Sequence, residues 1–144
     1  MTEPIIRDAT PEDLDAVREV VAAAYGRFAA LDGLPDVTEG LATDIAERTV
    51  LVGDGPAGVL GVVVVAVQGR DAHLVNLAVH PHAGGHGLGR KLIAAAEARA
   101  RAAGARRMHL GTHAAFDHAL DLYARLGWSE TGRDGVKVSL SKAL

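Results

Sequence analysis

The sequence contains no cysteine, few aromatic residues and no long apolar run. Without cysteine among its 144 residues, the chain cannot form a disulfide, a thiolate metal site or an acyl-cysteine intermediate. Aromatic residues make up 3%, which leaves few platforms for stacking nucleic-acid bases. The longest apolar run, residues 59–67, is far shorter than the roughly 20 residues needed to cross a bilayer. The first residues also lack a signal-peptide pattern. These absences predict a cytoplasmic protein with neither a membrane nor a nucleic-acid partner.

Length and composition are those of one globular domain. A chain of 144 residues, 49% hydrophobic and 23% charged, predicts a single domain over residues 1–144. The net charge of −3 is unevenly distributed. Residues 1–54 carry 12 acidic and 4 basic side chains, whereas residues 55–144 carry 6 and 11. This asymmetry is either ordinary surface variation or a sign that the later part meets an anionic ligand and the earlier part a cationic one.

The hydrophobic pattern predicts the order β-α-α-β-β-β-α-β-α-β-β. Alternating or continuous β-branched runs favour strands, and apolar residues three and four apart favour helices. Short turns make the second, third and fourth strands antiparallel neighbours, whereas a helical crossover makes the fifth strand parallel to the fourth. The predicted strands are 5–6, 49–52, 59–67, 73–79, 107–110, 128–131 and 136–140, and the predicted helices begin near residues 10, 41, 87 and 114.

This order predicts an α/β or α+β sandwich with a mixed, mostly antiparallel central sheet and helices on both faces. In the last strand, alternation predicts that Val136, Val138 and Leu140 face inward, whereas Lys137, Ser139 and Ser141 face outward.

A glycine-rich loop joins the fourth strand to the third helix. Gly84, Gly85, Gly87 and Gly89 occupy four of six positions. Glycines let backbone N–H groups approach a ligand closely, and the helix N-terminus adds partial positive charge. The pattern therefore predicts a phosphate or pyrophosphate site rather than a merely tight turn. It matches neither the Walker A spacing nor the dinucleotide fingerprint.

Two segments resemble the GNAT superfamily of acetyl-CoA-dependent N-acyltransferases. The first is Gly84-Gly85-His86-Gly87-Leu88-Gly89, preceded by Leu77-Ala78-Val79-His80-Pro81, and the second runs from Ala119 to Trp128 with Tyr123 at its centre. The family signature has Arg or Gln where this chain has Gly84, so one side-chain contact to pyrophosphate is missing. The asparagine that many relatives carry before the tyrosine is also absent from residues 116–122.

The resemblance implies that acetyl-CoA lies between two splayed parallel strands that end near Val79 and Leu110. Backbone groups of the fourth strand would pair with the pantetheine arm, and a backbone N–H near Val79 would polarise the thioester carbonyl. Because many relatives are dimers, the resemblance also allows a homodimer. The implied cofactor-binding residues are Leu77, Ala78, Val79, Gly84, Gly85, His86, Gly87, Leu88, Gly89 and Arg90.

The resemblance assigns Tyr123 as the proton donor to the departing sulfur. An alkylammonium acceptor must also lose a proton before it attacks. His113, just after the fifth strand, is the first candidate for that base because histidine changes charge near neutral pH. Glu39 and His73 are weaker alternatives, and a water relay without a single base is equally compatible.

A cluster of histidines and a cluster of acidic residues each have a simpler interpretation than ligand binding. The histidines at 80, 82 and 86 cross a proline and lack a nearby carboxylate, so we predict no metal site. The acids of the early helical region either attract a cationic amine or form a solvated surface. These acids are Asp32, Asp36, Glu39, Asp44 and Glu47.

The sequence thus predicts an N-acetyltransferase that transfers an acetyl group from acetyl-CoA to a primary amine of a small molecule or protein, by direct attack in a ternary complex. The alternative is a non-catalytic acyl-CoA-binding or regulatory module on the same fold. A flavin- or nucleotide-binding α/β protein is a third interpretation, disfavoured by the antiparallel middle strands.

Overall fold

The computed structural model describes residues 4–26, 40–83 and 87–144. The predicted cofactor-binding residues Gly84, Gly85 and His86 lie outside this part of the chain. The same holds for the acidic residues Asp32, Asp36 and Glu39.

One seven-stranded sheet with the order β1-β2-β3-β4-β5-β7-β6 organises the described chain. All neighbouring strands are antiparallel except β4 and β5, which are parallel. The mixed sheet and the order of its elements confirm the fold predicted from the sequence. The strands are β1 Ile5–Asp8, β2 Thr49–Gly55, β3 Gly58–Gln68, β4 Asp71–Val79, β5 Arg107–His113, β6 Ser129–Asp134 and β7 Lys137–Ala143, and the helices are α1 Leu14–Tyr25, α2 Leu41–Glu47, α3 Leu88–Ala102 and α4 Asp117–Arg125.

The sheet carries an apolar cluster on each face. On the face that α3 covers, Val63 and Val65 of β3 pack with α3, β5 and β7. On the face that α1 and α2 cover, Val62 and Val64 pack with these two helices. The continuous β-branched run of β3 therefore arises because both of its sides are buried. We call the two sides of the sheet the α3 face and the α1 face.

Glycines let α3 lie unusually close to the sheet. A Cβ added to Gly61 of β3 would lie 2.8 Å from Leu92 Cδ1 and 3.0 Å from Leu88 Cδ2. A Cβ on Gly53 of β2 would lie 2.8 Å from Leu88 Cδ1. Both leucines are buried, so these two glycines make room for the first turns of the helix. The position of the α3 N-terminus depends on this close contact.

A partly exposed network of ion pairs at the edge of the sheet holds the start of α1. Arg7 of β1 donates hydrogen bonds to Asp13 at 2.8 Å and to Asp54 of β2 at 3.1 Å. Asp13 also accepts the backbone N–H of Thr10 at 2.7 Å. The guanidinium of Arg7 is the main cause that lowers the pKa of Asp13 to about 2. The network ties α1 to the first two strands.

The parallel pair β4–β5 separates after three residue pairs. Asp71, Ala72 and His73 pair with residues 107–109, and the strands then diverge. At the divergence, the register between β3 and β4 shifts, because Val64 faces Asn76 while Val65 faces Leu74. Val75 is therefore the extra residue of a β-bulge. The splay predicted between these two strands is present and opens a gap in the sheet.

The last hairpin corrects two of the predicted orientations. Val136 is 42% exposed because it lies in the turn before β7 begins. Ser141 is buried, although it was expected to face outward. The guanidinium of Arg107 donates a hydrogen bond to Ser141 Oγ at 3.1 Å and covers it. Val138 and Leu140 are buried as predicted.

None of the helices in the described chain is long and apolar enough to cross a membrane.

Candidate active site

A cleft opens at the carboxyl end of β4, where the sheet is split. Its outer lobe, of about 870 Å³, lies between the start of α3 and α4. Its inner lobe, of about 520 Å³, extends between β4, β5, α1 and α4. The two lobes share Val79, Gly89, Leu122 and three further lining residues, so they form one continuous cleft.

The outer lobe presents the N-terminus of α3. Gly87 caps this helix in the left-handed conformation, with φ of 77°. The first helical hydrogen bond runs from the N–H of Lys91 to the Gly87 carbonyl. The preceding N–H groups, those of Leu88, Gly89 and Arg90, therefore have no helical acceptor. Together with the helix dipole, they favour an anion at this end of the cleft.

Two arginines and one glycine complete the outer lobe. Arg90 of α3 and Arg125 of α4 line it from two sides. A Cβ on Gly89 would enter the cleft at ordinary contact distance, 3.7 Å, from Val79 and Leu122. Gly89 thus keeps the floor of the cleft open, although the packing around it would accept a Cβ. These described residues fit a phosphate-containing cofactor.

The inner lobe contains the predicted β4 segment and two tyrosines. Leu77, Ala78 and Val79 line it from β4. Tyr25 of α1 donates its hydroxyl hydrogen bond to the Leu77 carbonyl at 3.0 Å, and burial raises its pKa. Tyr25 is not among the site residues predicted from the sequence. Tyr25 lies four residues after Val21, and this helical spacing could have predicted that its side chain faces the sheet.

Tyr123 of α4 lies deeper in the same lobe. Its ring packs edge-on against Trp128, with centroids 5.6 Å apart. Burial is the main cause that raises the pKa of Tyr123, and the neighbouring Tyr25 adds to the effect. The phenol therefore keeps its proton near neutral pH. No hydrogen bond joins its hydroxyl to another described residue, so the proton is available to a bound group.

His113 does not line either lobe of the cleft. It is a buried residue at the end of β5. Its Nδ1 accepts the backbone N–H of Ala115 at 3.0 Å, and its ring lies 5.5 Å from that of Phe116. This hydrogen bond occupies Nδ1 and holds the turn that leads to α4. The role of His113 as a base stays a prediction.

His73, the alternative base, lies in a second groove of about 810 Å³. Its ring stacks on His109 of β5 at a centroid distance of 5.3 Å. His109 Nε2 is 2.8 Å from Asp71 Oδ1. The second groove runs from the paired part of β4 and β5 to the start of their split and is also lined by Val75, Gly111, Thr131, Lys137 and Ser139.

The remaining predicted clusters lie away from the inner lobe. The His80 and His82 rings approach to 4.9 Å at the outer edge, and no group of three potential metal ligands occurs among the described residues. Of the acids of the early region, Asp44 pairs with Arg48 at 3.5 Å. Burial raises the pKa of Asp44.

Comparisons with known sequences and with solved structures agree on one class of protein. The model of the acetyltransferase (GNAT) family matches residues 14–128. The chain therefore belongs to the GNAT acetyltransferase family. No curated protein matches it significantly in sequence.

Solved structures share the complete fold. PaiA N-acetyltransferase from Thermoplasma acidophilum, in complex with coenzyme A, matches with a TM-score of 0.88 and 18% identity over 100% of both chains. YncA from Salmonella typhimurium, solved with acetyl-CoA, matches with a TM-score of 0.80 and 22% identity over 99% of this chain and 95% of its own. A GCN5-related N-acetyltransferase from Rhodopseudomonas palustris matches with a TM-score of 0.76 and 25% identity over 100% and 98%.

Proposed function

We propose that this protein transfers an acetyl group from acetyl-CoA to a primary amine of a small molecule or protein. The observation that carries the proposal is the two-ended cleft at the β4–β5 split. One end presents N–H groups without helical acceptors and two arginines, and the other holds a protonated tyrosine. A pyrophosphate and a thioester at opposite ends of one ligand match these two ends.

The cofactor would be held mainly by backbone groups. The N–H groups of residues 88–90 would bind the pyrophosphate, with Gly84, Gly85 and His86 completing the loop as the sequence predicts. Beyond His73, β4 has no strand partner on its β5 side within the described chain, so residues 77–79 can pair with the extended pantetheine arm. When bound, acetyl-CoA supplies an acetyl thioester whose carbonyl carbon is open to attack.

Groups of the protein then stabilise the negative charge on the carbonyl oxygen and on the leaving sulfur. A backbone N–H near Val79 stabilises the negative charge that develops on the carbonyl oxygen. Tyr123 keeps its hydroxyl proton because burial raises its pKa, and it donates that proton to the leaving sulfur. With no cysteine in the chain, the amine attacks directly rather than through an acyl-cysteine. His113 or His73, or water, takes the proton that the amine loses.

Acetyl transfer to a panel of primary amines tests this proposal. The panel is incubated with acetyl-CoA, and the N-acetylated product is identified by mass spectrometry while thiol release is followed in parallel. We expect enzyme-dependent product and equimolar free thiol for at least one class of amine. Tight binding of acetyl-CoA without turnover of any amine would instead support the non-catalytic acyl-CoA-binding module.

A further inference from the structure

Lys137 reaches into the second groove across a glycine. A Cβ on Gly111 of β5 would lie 3.0 Å from Lys137 Cε and 3.9 Å from its Nζ. Because an added Cβ would displace the end of this side chain, Gly111 makes room for Lys137 to lie over β5. The ammonium group of Lys137 therefore lies over Gly111 in the second groove.

The ammonium of Lys137 has no carboxylate partner in the described chain, where the ion pairs involve other residues. The one carboxylate that lines the groove, Asp71, is engaged by His109. The remaining polar lining consists of an imidazole, an amide and two hydroxyl side chains, those of His73, Gln68, Thr131 and Ser139. A lysine beside hydrogen-bond donors is suited to a carboxylate.

The groove and the inner lobe are lined by neighbouring residues along the same β4–β5 split, Val75 and Gly111 for the groove and Leu77 and Thr112 for the lobe. Met108 and Leu110 of β5 pack in the cluster on the α3 face. Alternation therefore places Gly111 on the α1 face and Thr112 back on the α3 face. Gly111 lines the second groove, and Thr112 lines the inner lobe. A small molecule held over Gly111 therefore lies beside the unpaired segment of β5 whose next residue, Thr112, lines the inner lobe.

We propose that the acceptor is a small amine that also carries a carboxylate, as in an amino acid. The inference rests on the proposed function and names the substrate class of its site. The carboxylate pairs with Lys137, and the amine is directed through the gap toward the inner lobe. The nitrogen forms the new C–N bond as the C–S bond breaks. Of the two protons that the ammonium loses, one balances the thiolate as a thiol and one goes to solvent.

Matched amino acids and their carboxamides test the inference. We measure KM and kcat for acetyl transfer to both members of each pair, with wild type, Lys137→Met and Lys137→Arg. Wild type should prefer the carboxylates, and Lys137→Met should raise KM for them by about 10–100-fold while leaving the carboxamides unchanged. Lys137→Arg should retain most of the preference. Arg101→Gln, which removes one positive charge from the exposed side of helix α3, is the control and should change neither series.

Four outcomes would overturn the inference. If wild type used carboxamides as efficiently as amino acids, or if Lys137→Met kept the wild-type preference for amino acids, Lys137 would not bind the substrate carboxylate. Acetylation only of amines without an anionic group would refute the inference and leave the proposed function intact. If no amine is acetylated, calorimetry with the amino acids in the presence of coenzyme A separates the two claims. Binding that Lys137→Met removes supports the carboxylate site, and no binding refutes it along with the transfer.

Discussion

The two tyrosines of the cleft differ in what their hydroxyl groups contact. Tyr25 donates its hydrogen bond to the backbone of β4, so its hydroxyl is used in holding α1 against the sheet. Tyr123 has no such partner among the described residues, although burial raises the pKa of both side chains. Only Tyr123 therefore offers a proton that the fold does not already use.

The first prediction concerns the change of Tyr123 to phenylalanine. The ring and its contact with Trp128 are kept, so the fold and the affinity for acetyl-CoA should survive. The lost proton donor should lower kcat and kcat/KM together, by about 100-fold, the low end for general acid catalysis, because a thiolate is a tolerable leaving group. Steady-state kinetics and calorimetric binding of acetyl-CoA are the measurements.

The matched control is Tyr25→Phe, which removes the other hydroxyl of the same lobe. It should lower the free energy of unfolding by about 0.5–1.5 kcal/mol through the lost hydrogen bond, with a much smaller effect on kcat. Wild-type turnover in Tyr123→Phe, with chemistry shown to limit the rate, would leave Tyr123 as a packing residue.

The two tyrosines also show how far single residues could be predicted. Tyr123 was found because it lies in a recognisable sequence motif next to Gly127 and Trp128. Tyr25 lies in no motif, and its contact with Leu77 joins residues 52 positions apart. Such a contact depends on how α1 packs on the sheet, which local periodicity does not specify.

For the elements, the second prediction concerns the close packing of α3 on β3. Gly61→Ala should lower the free energy of unfolding by about 1–3 kcal/mol, because its Cβ would overlap Leu92 Cδ1 at 2.8 Å and overpacking strains the core. Chemical denaturation measures the change. Gly132→Ala is the control, since nothing lies within 4 Å of its Cβ. Equal stability of the two variants would contradict the packing argument.

The third prediction concerns the pH dependence of the β1–α1 connection. The pKa of Asp13 is lowered to about 2 in the folded protein, against about 3.9 in an unfolded chain. Its contribution to stability is therefore fully present above about pH 4 and is lost as the pH falls toward 2. Asp13→Asn should be less stable than wild type at pH 7, and the difference should shrink on acidification.

The control for this change is Asp15→Asn, because the Asp15 side chain is fully exposed and lies 3.9 Å from Arg18. Its stability should follow that of wild type across the same pH range. Denaturation curves between pH 7 and pH 2 measure all three proteins. A constant difference between Asp13→Asn and wild type over this range would show that the ion network does not contribute through the charge of Asp13.

Elements buried on both sides were well predicted, whereas irregular ones were not. The β-branched run of β3 specified a central strand directly. The bulge at Val75 could not be predicted from the sequence, because it arises from the pairing of β4 with β3. Val136 was misplaced because the turn of the last hairpin extends one residue further than the alternation indicated.

For the whole molecule, the β4–β5 split lies between the cleft proposed for the cofactor and the groove proposed for the acceptor. The cleft between α3 and α4 offers groups for an anionic cofactor, and the second groove on the α1 face offers Lys137 for an acceptor. Glycines are important on both sides, since Gly89 keeps the cleft open and Gly111 makes room for Lys137. The uneven charge of the sequence agrees with the proposed binding of anions, because all charged residues that line the outer lobe and the second groove belong to residues 55–144, the basic part of the chain.

The residues proposed for the cofactor could be named from the sequence, whereas those proposed for the acceptor could not. A glycine loop before a helix has a direct physical meaning, because backbone N–H groups and the helix dipole act locally. The second groove combines side chains of β4, β5 and β7, which are far apart in sequence and meet only through strand pairing. Its role as an acceptor site could therefore be proposed only after the sheet order was known.

The central claim is that acetyl-CoA binds in the cleft at the β4–β5 split, and calorimetric titration of Gly89→Val tests it most directly. A Cβ at this position meets only Val79 and Leu122, at 3.7 Å, so we expect a folded variant whose branched side chain blocks the cleft. Acetyl-CoA should bind wild type and Gly132→Val, an open-surface control, and binding to Gly89→Val should be abolished. Unchanged affinity in a folded Gly89→Val variant would contradict the assignment of the cleft.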